Sequence, residues 1–175
     1  MKQRITVLTR LPKAGTTKTR LIPLLGASEA AELQRCMTED TLGSIHPLMD
    51  RGMEIVVSYT GGTADDMRNW LGDEYRLTVQ KGKDLGHIMV NLLSESFQQG
   101  IEQSVLIGTD CPLLTSELAA AAFRDLSDGA DAVLGPSRDG GYYLIGFTAP
   151  GACPDVFSGI SWGEDQVLKK TEKIL

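Results

Sequence analysis

Cysteine and histidine are scarce in this 175-residue chain, and what is missing around them excludes several kinds of chemistry. The three cysteines, Cys36, Cys111 and Cys153, are widely spaced and form no C-x-x-C pair, so neither a zinc site nor a disulfide framework is indicated. Cys111 has no histidine near it in sequence to activate it, and Pro112 fixes the turn that follows, which reads as a small buried side chain rather than a nucleophile. His87 stands at the start of a helical pattern, where a single histidine is structural more often than catalytic. No apolar run approaches membrane-spanning length, and no apolar leader precedes the first strand, so a cytoplasmic protein without membrane contact is expected. Basic excess is missing too: 23 acids against 17 basic residues argue against a nucleic-acid partner. A chain of this length buries on the order of 70% of its unfolded surface and needs no disulfide or metal to fold; one domain over residues 1–175 is expected.

One local absence says more than the rest. The first 28 residues contain no acid but six basic side chains, Lys2, Arg4, Arg10, Lys13, Lys18 and Arg20, so a segment of charge +6 heads a body of −12. Four of these, from Arg10 to Arg20, lie in a Pro/Gly/Thr-rich loop after the apolar run Ile5–Leu8. A strand running into a basic, glycine-containing loop suits phosphate. The loop nevertheless lacks both familiar phosphate signatures. It has only Gly15, not G-x-G-x-x-G, and Lys18-Thr19 follows Thr16-Thr17 rather than the glycine of a P-loop.

Strand and helix patterns alternate. Strands are expected at Ile5–Thr9, Met53–Tyr59, Tyr75–Gln80, Ser104–Ile107, Ala130–Leu134 and Tyr142–Phe147. Helices are expected at Ser28–Met49, from Thr63 to Leu71 with a capping box, and at Asp84–Gln99, Ser116–Leu126 and Glu164–Leu175. The first helix shows the stripe Ala30, Leu33, Met37, Thr41, Ile45 and Leu48, capped by Ser28; the Asp84–Gln99 helix turns Leu85, Ile88, Leu92, Leu93 and Phe97 inward. The alternation implies an α/β fold, a three-layer α/β/α sandwich with a mostly parallel sheet, whose ligands sit beyond the carboxyl ends of the strands.

Three loops there carry candidate chemistry. In the first, Gly15 permits close backbone approach, Lys18 supplies a point charge and Arg20 a bidentate fork. In Gly108-Thr-Asp-Cys-Pro112, an aspartate at the end of a short apolar strand is placed to hold Mg²⁺ (or Mn²⁺), which takes one or two carboxylates plus phosphate oxygens. Asp139-Gly-Gly-Tyr-Tyr143 joins two strands and on its own reads as a hairpin turn.

Five ordered motifs, RLPKAGTTKTRL from Arg10, EDT from Glu39, QKGKDLG from Gln80, IGTDCPLL from Ile107 and DGGYYLIG from Asp139, resemble the DUF2064 family of glycosyltransferase-A-like proteins in the nucleotide-diphospho-sugar transferase superfamily. A weaker resemblance extends to the molybdenum-cofactor and phospholactate guanylyltransferases. The resemblance implies that Gly15, Lys18 and Arg20 hold nucleotide phosphates, with Arg10, Leu11, Pro12 and Thr109 also on the nucleotide and Gln80 and Gly86 near its base. It implies Asp110 as the metal ligand, and Asp139, Gly140, Gly141 and Tyr142 on the acceptor. Two departures stand out. The family's charged pair after Gly86 is replaced by His87-Ile88, and the further strand and acidic turn that relatives usually carry have no counterpart, which implies a weakened metal site.

The expected function is Mg²⁺-dependent nucleotidyl transfer from a nucleoside triphosphate to a small phosphorylated acceptor, with Lys18, Arg20 and Asp110 as catalytic residues. The alternatives are glycosyl transfer from a nucleoside-diphosphate sugar on the same site, and a non-catalytic nucleotide-binding domain. A homo-oligomer is left open.

Overall fold

Apolar strand residues here are buried on both sides, and that dictates the layering. The computed structural model describes residues 1–162 and 166–175. Six strands form one sheet: β1 (Gln3–Arg10), β2 (Glu54–Thr60), β3 (Arg76–Val79), β4 (Gln103–Gly108), β5 (Ala132–Pro136) and β6 (Tyr142–Thr148), in the order β3-β2-β1-β4-β6-β5. The first four run parallel, whereas β6 is antiparallel to both β4 and β5. The sheet is thus mostly parallel, with an antiparallel hairpin at one edge.

Alternate residues of the central strands enter two cores. Ile5, Val7, Ile55, Val57, Val105 and Ile107 pack with Leu42, Ile45 and Phe123. Those three come from α2 (Ala27–Ile45) and α5 (Ser116–Ser127). On the other face Leu106, Ile145 and Phe147 pack with Met89, Leu92 and Leu93 of α4 (Leu85–Gln98), and with Val156 and Phe157 of the 3₁₀ turn Pro154–Phe157. The period of two in the strands therefore feeds both outer layers. The remaining helices are the single turn α1 (Ile22–Leu25), α3 (Ala64–Leu71) and α6 (Val167–Glu172). No helix among the described residues is long and apolar enough to cross a membrane.

The boundaries differ from expectation where local chemistry intervenes. The first long helix stops at Ile45 and continues as the 3₁₀ turn His46–Arg51, because Pro47 has no N–H to extend the ladder. Its N-cap is Gly26, not Ser28, and no side chain caps it. Its buried face is Ala30, Ala31, Gln34, Thr38, Thr41, Leu42 and Ile45, so the polar Gln34 and Thr38 replace the expected Leu33 and Met37. In α4 the buried residues are Gly86, Met89, Leu92, Leu93 and Ser96, while Leu85 is 41% exposed. The capping box is present at α3: Thr63 accepts from the Asp66 N–H, and Asp66 accepts from the Thr63 N–H. Of the final expected helix, Glu164 and Asp165 lie outside the described residues, and helical structure covers Val167–Glu172.

Arg4 leaves the basic cluster. Its guanidinium is buried at the opposite end of the strands from the basic loop, donating to Glu54 at 2.6 and 2.9 Å, to Ser96 at 3.2 Å and to Gln99 at 2.8 Å.

Gly146 tests the packing of the hairpin against the parallel strands. A Cβ at this position meets Val105 Cγ2 at 2.7 Å and Val133 Cγ2 at 3.0 Å, both β-branched neighbours in the sheet. Gly146→Ala is expected to lower stability by roughly 1–3 kcal/mol through overpacking, read as a reduced denaturation midpoint with unchanged slope. An unaltered midpoint would show that β6 can shift relative to β4.

Candidate functional site

The carboxyl ends of β1 and β4 lie side by side, with Leu8 opposite Gly108. Each strand delivers one loop to a cleft of about 600 Å³, a volume in the range of small-molecule sites.

The loop after β1 is folded by its own polar groups. The Thr17 hydroxyl, buried, donates to the Leu11 carbonyl at 2.9 Å and accepts from the Lys13 N–H at 3.2 Å. Gly15 takes φ +80° at the exposed tip. Lys18 follows with φ 50° and ψ 41°, the left-handed region that side chains avoid. It is the non-glycine residue with positive φ among those described. From there its ammonium donates to Asp110 Oδ1 at 2.5 Å, bridging the loops after β1 and β4. The Lys18 side chain is 18% exposed and that of Asp110 72%.

A buried network sets the height of both strand ends. Gln34 Nε2 contacts the hydroxyls of Thr9 at 3.2 Å, Thr38 at 3.0 Å and Thr109 at 3.1 Å. Thr9 and Thr38 are 2.8 Å apart, and Thr38 donates to the Gln34 carbonyl at 2.9 Å. Gln34 and Thr38 are two of the three polar residues on the buried face of α2. They had no place in an apolar stripe, and only the presence of threonines at the ends of both strands could have signalled them.

On the far side of β1, Gln80 Nε2 donates to the carbonyls of Thr9 at 3.0 Å and Ser58 at 2.9 Å. Both amide hydrogens are thereby committed to main chain, and Oε1 is left as an acceptor on a side chain that lines the cleft.

The turn from Ser137 to Gly141 closes the other rim. The Ser137 N–H donates to the Gly141 carbonyl at 3.0 Å, and Gly140 carries the positive φ of +85°. The left-handed position is therefore Gly140 and not Gly141. Asp139 Oδ1 accepts from the Ser137 hydroxyl and from the Gly141 N–H at 3.1 Å. These two donors favour the anion and hold the Asp139 carboxyl below its ordinary value. The Gly140 carbonyl accepts from the Leu168 N–H at 2.8 Å, seating α6 on the turn.

Of the residues singled out in sequence, Arg10, Lys18, Gln80, Thr109, Asp110, Asp139 and Tyr142 line this cleft. Gly141 borders an adjoining cavity. Leu11 and Pro12 instead line a shallow depression on the outer side, with Arg35 and Trp70. Gly15 and Arg20 are exposed and are not in the cleft wall. Gly86 is buried, and a Cβ there would meet the Phe157 carbonyl and the Trp162 ring at 3.1 Å, so its size serves helix packing. Glu39 accepts from Trp70 Nε1 at 2.7 Å, away from the cleft. His87 donates its backbone N–H to Asp84, its helix cap, and its ring lies 2.8 Å from the same carboxylate, so it is tied up locally. Burial pushes the Tyr142 hydroxyl up to about 12, which keeps it neutral. Leu8 is a wall residue outside every motif, and Leu85 and Tyr143 lie within motifs that gave them no role at the site.

Among the described residues no three His, Cys, Asp or Glu side chains converge as a preformed metal cage. The cleft does carry Asp110, largely exposed, and Asp139. One or two carboxylates with room for further oxygen ligands fit the way Mg²⁺ is held, so the donor set suits a cation that completes its shell from elsewhere.

The family model described as an uncharacterized protein conserved in bacteria, DUF2064, matches residues 46–164. Among solved structures, a proposed nucleotide-diphospho-sugar transferase from Desulfovibrio desulfuricans G20 is 37% identical, with 99% of this chain and 75% of that chain covered and a TM-score of 0.91. The 4-diphosphocytidyl-2C-methyl-D-erythritol synthase from Anaerococcus prevotii DSM 20548 is 14% identical, with 98% and 83% covered and a TM-score of 0.60. A cytidylyltransferase from Leptospira borgpetersenii serovar Hardjo-bovis is 18% identical, with 99% and 73% covered and a TM-score of 0.54. The last two likenesses are of fold alone. No match is found among curated proteins.

Two measurements probe the geometry. Gln34→Leu leaves the Thr9, Thr38 and Thr109 hydroxyls without their shared amide and is expected to cost roughly 1–3 kcal/mol of stability, read by chemical denaturation. For Asp139, the folded pKa is depressed. Its contribution to stability is therefore full above the unfolded value of about 3.9 and is lost as pH falls through the lower folded value. In a carboxyl NMR titration Asp139 is expected to titrate below about 3.9 and Ser137→Ala to bring it back toward that value. An ordinary Asp139 titration in the unmodified protein would contradict the turn geometry.

Proposed function

The chain belongs to the DUF2064 family, and from that premise we propose that it is a transferase acting on a nucleotide substrate, with Mg²⁺-dependent nucleotidyl transfer to a small phosphorylated acceptor as its reaction. The observation that carries the reading is Lys18, held in a left-handed conformation and aimed across the ends of two adjacent parallel strands at Asp110. A non-glycine residue kept in this region costs on the order of 1–3 kcal/mol and persists where its surroundings over-determine it, which is typical of functional positions.

The proposed roles follow from chemistry. Lys18 and Arg10 bind nucleotide phosphates, and Gln80 Oε1 accepts from a donor on the base edge. An acceptor phosphate oxygen attacks the α-phosphorus; the new P–O bond forms as the bond to pyrophosphate breaks and the electron pair leaves with it. The protein orients the reactants and stabilises charge. A bound Mg²⁺ would neutralise charge on the phosphate oxygens, and Asp110, with Asp139 also in the cleft wall, would hold it. A phosphate that takes Lys18 frees the Asp110 carboxylate of its partner, so anion and cation binding reinforce one another.

Glycosyl transfer from a nucleoside-diphosphate sugar is the second reading, favoured by one observation. With Arg4 in a buried ion pair and Arg20 outside the cleft wall, fewer cations face the site than the basic segment contains, and the shorter phosphate chain needs fewer.

Lys18→Gly separates function from fold. Glycine adopts the left-handed angles freely, and an exposed ion pair is worth about 0–1 kcal/mol, so stability is expected to stay nearly constant. Nucleoside triphosphate binding with Mg²⁺, followed by titration calorimetry, is expected to weaken by roughly 1.5–3 kcal/mol. Asp110→Asn is expected to abolish the Mg²⁺ dependence. Undiminished affinity in Lys18→Gly would sink the proposal; tighter binding of diphosphate sugars than of triphosphates would select glycosyl transfer.

A further inference from the structure

Beside the polar cleft lies a second cavity, of about 530 Å³, and its chemistry is different. Its floor is Leu106 and Ile145 of the sheet. Its walls are Leu8 from β1, Leu85 and Met89 from α4, and Trp162 and Val167 from the C-terminal segment. The two spaces are continuous: Leu8, Leu85, Gly108, Asp110, Asp139, Tyr142 and Tyr143 border both. Gly108 sits between them at the end of β4. A Cβ there would meet nothing within 4 Å, and its φ is not left-handed. The strand end therefore opens onto free space at the junction.

Among the described lining residues the charged side chains stand at one end. Asp110 and Asp139 are at the shared mouth, where Lys18 meets Asp110. The Tyr142 hydroxyl, although its residue is in the wall, is itself buried and has no hydrogen-bond partner among the described residues. A polyhydroxylated body entering the apolar end would give up hydrogen bonds to water and find few in return, at a cost for each hydroxyl. An apolar body would bury its surface against Met89, Trp162 and Val167 and gain from it.

We infer that the acceptor is a small phosphorylated molecule whose body is apolar, aliphatic or aromatic, and not a sugar phosphate. Its phosphate stands at the mouth beside Lys18 and Asp110, and its body fills the cavity between α4, β4, β6 and the C-terminal segment. This rests on the nucleotidyl-transfer reading for the identity of the neighbouring ligand; the apolarity of the cavity itself does not.

The test uses the full chain with Mg²⁺ in titration calorimetry, and its first arm is triphosphate binding alone. Absence of that binding sinks the nucleotidyl reading, and the cavity is then judged with Mg²⁺ only. The second arm compares 1-naphthyl phosphate with glucose 1-phosphate on the loaded protein. The aryl phosphate is expected to bind at least about tenfold tighter. Met89 and Val167 line the cavity but not the nucleotide cleft. Met89→Gln, close in shape but polar, is expected to remove most of that preference while triphosphate affinity stays the same. Val167→Thr, an isostere, serves if Met89→Gln does not fold. Equal or tighter binding of glucose 1-phosphate overturns the inference, and so does a preference that survives in the folded variants.

Discussion

Everything at the site depends on the parallel pairing of β1 with β4. That register sets Leu8 against Gly108 and brings together residues about a hundred positions apart, so that Lys18 reaches Asp110. Parallel neighbours end on the same side, and their loops therefore meet. In a parallel sheet the crossover helices cover both faces, which leaves the carboxyl ends of the strands as the natural opening. The Gln34 amide keeps the register honest at that opening, because it bonds Thr9 from one strand end and the Thr109 hydroxyl just beyond the other. A slip of either strand would leave a buried amide or hydroxyl unpaired.

The sequence made some of this legible and hid the rest for physical reasons. Strands such as Glu54–Thr60 and the helix opened by Thr63 and Asp66 were readable because their signals are local: a β-branched run, and a reciprocal pair of hydrogen bonds three residues apart. Gln34 and Thr38 were not, because a polar side chain on a core-facing stripe declares itself only when its partner, as distant in sequence as Thr109, is known. Leu85 was assigned to the core by spacing, but at the first position of its helix it stands over the cleft instead. The reversal of β6 against β4 was equally hidden, since strand direction follows from which edge the chain returns to.

Charge counting in the first 28 residues overcounts the cations that face the cleft, where Arg10 and Lys18 are found. Arg4 belongs to a buried network with Glu54, Ser96 and Gln99 at the other end of the strands. A buried guanidinium needs several acceptors to offset its desolvation, and it has them. Arg20 lies on an exposed 3₁₀ turn. Net charge is a property of a segment, whereas binding is a property of direction, and only the backbone angles of the loop decide which cations turn inward.

Those angles at Lys18 are not explained by the ion pair they create. An exposed bridge, with Asp110 72% accessible, contributes at most about 1 kcal/mol, while the left-handed conformation costs a comparable or larger amount. The balance is made up by the loop, through the buried Thr17 hydroxyl that joins Leu11 to Lys13, and by the Leu21 N–H, which donates to the Lys18 carbonyl at 2.8 Å. The ammonium is thus delivered to the cleft by interactions that do not include it. A lysine held in this way loses little additional freedom when it exchanges one anionic partner for another, and the rigidity of the loop favours exchange with a phosphate over retreat into solvent.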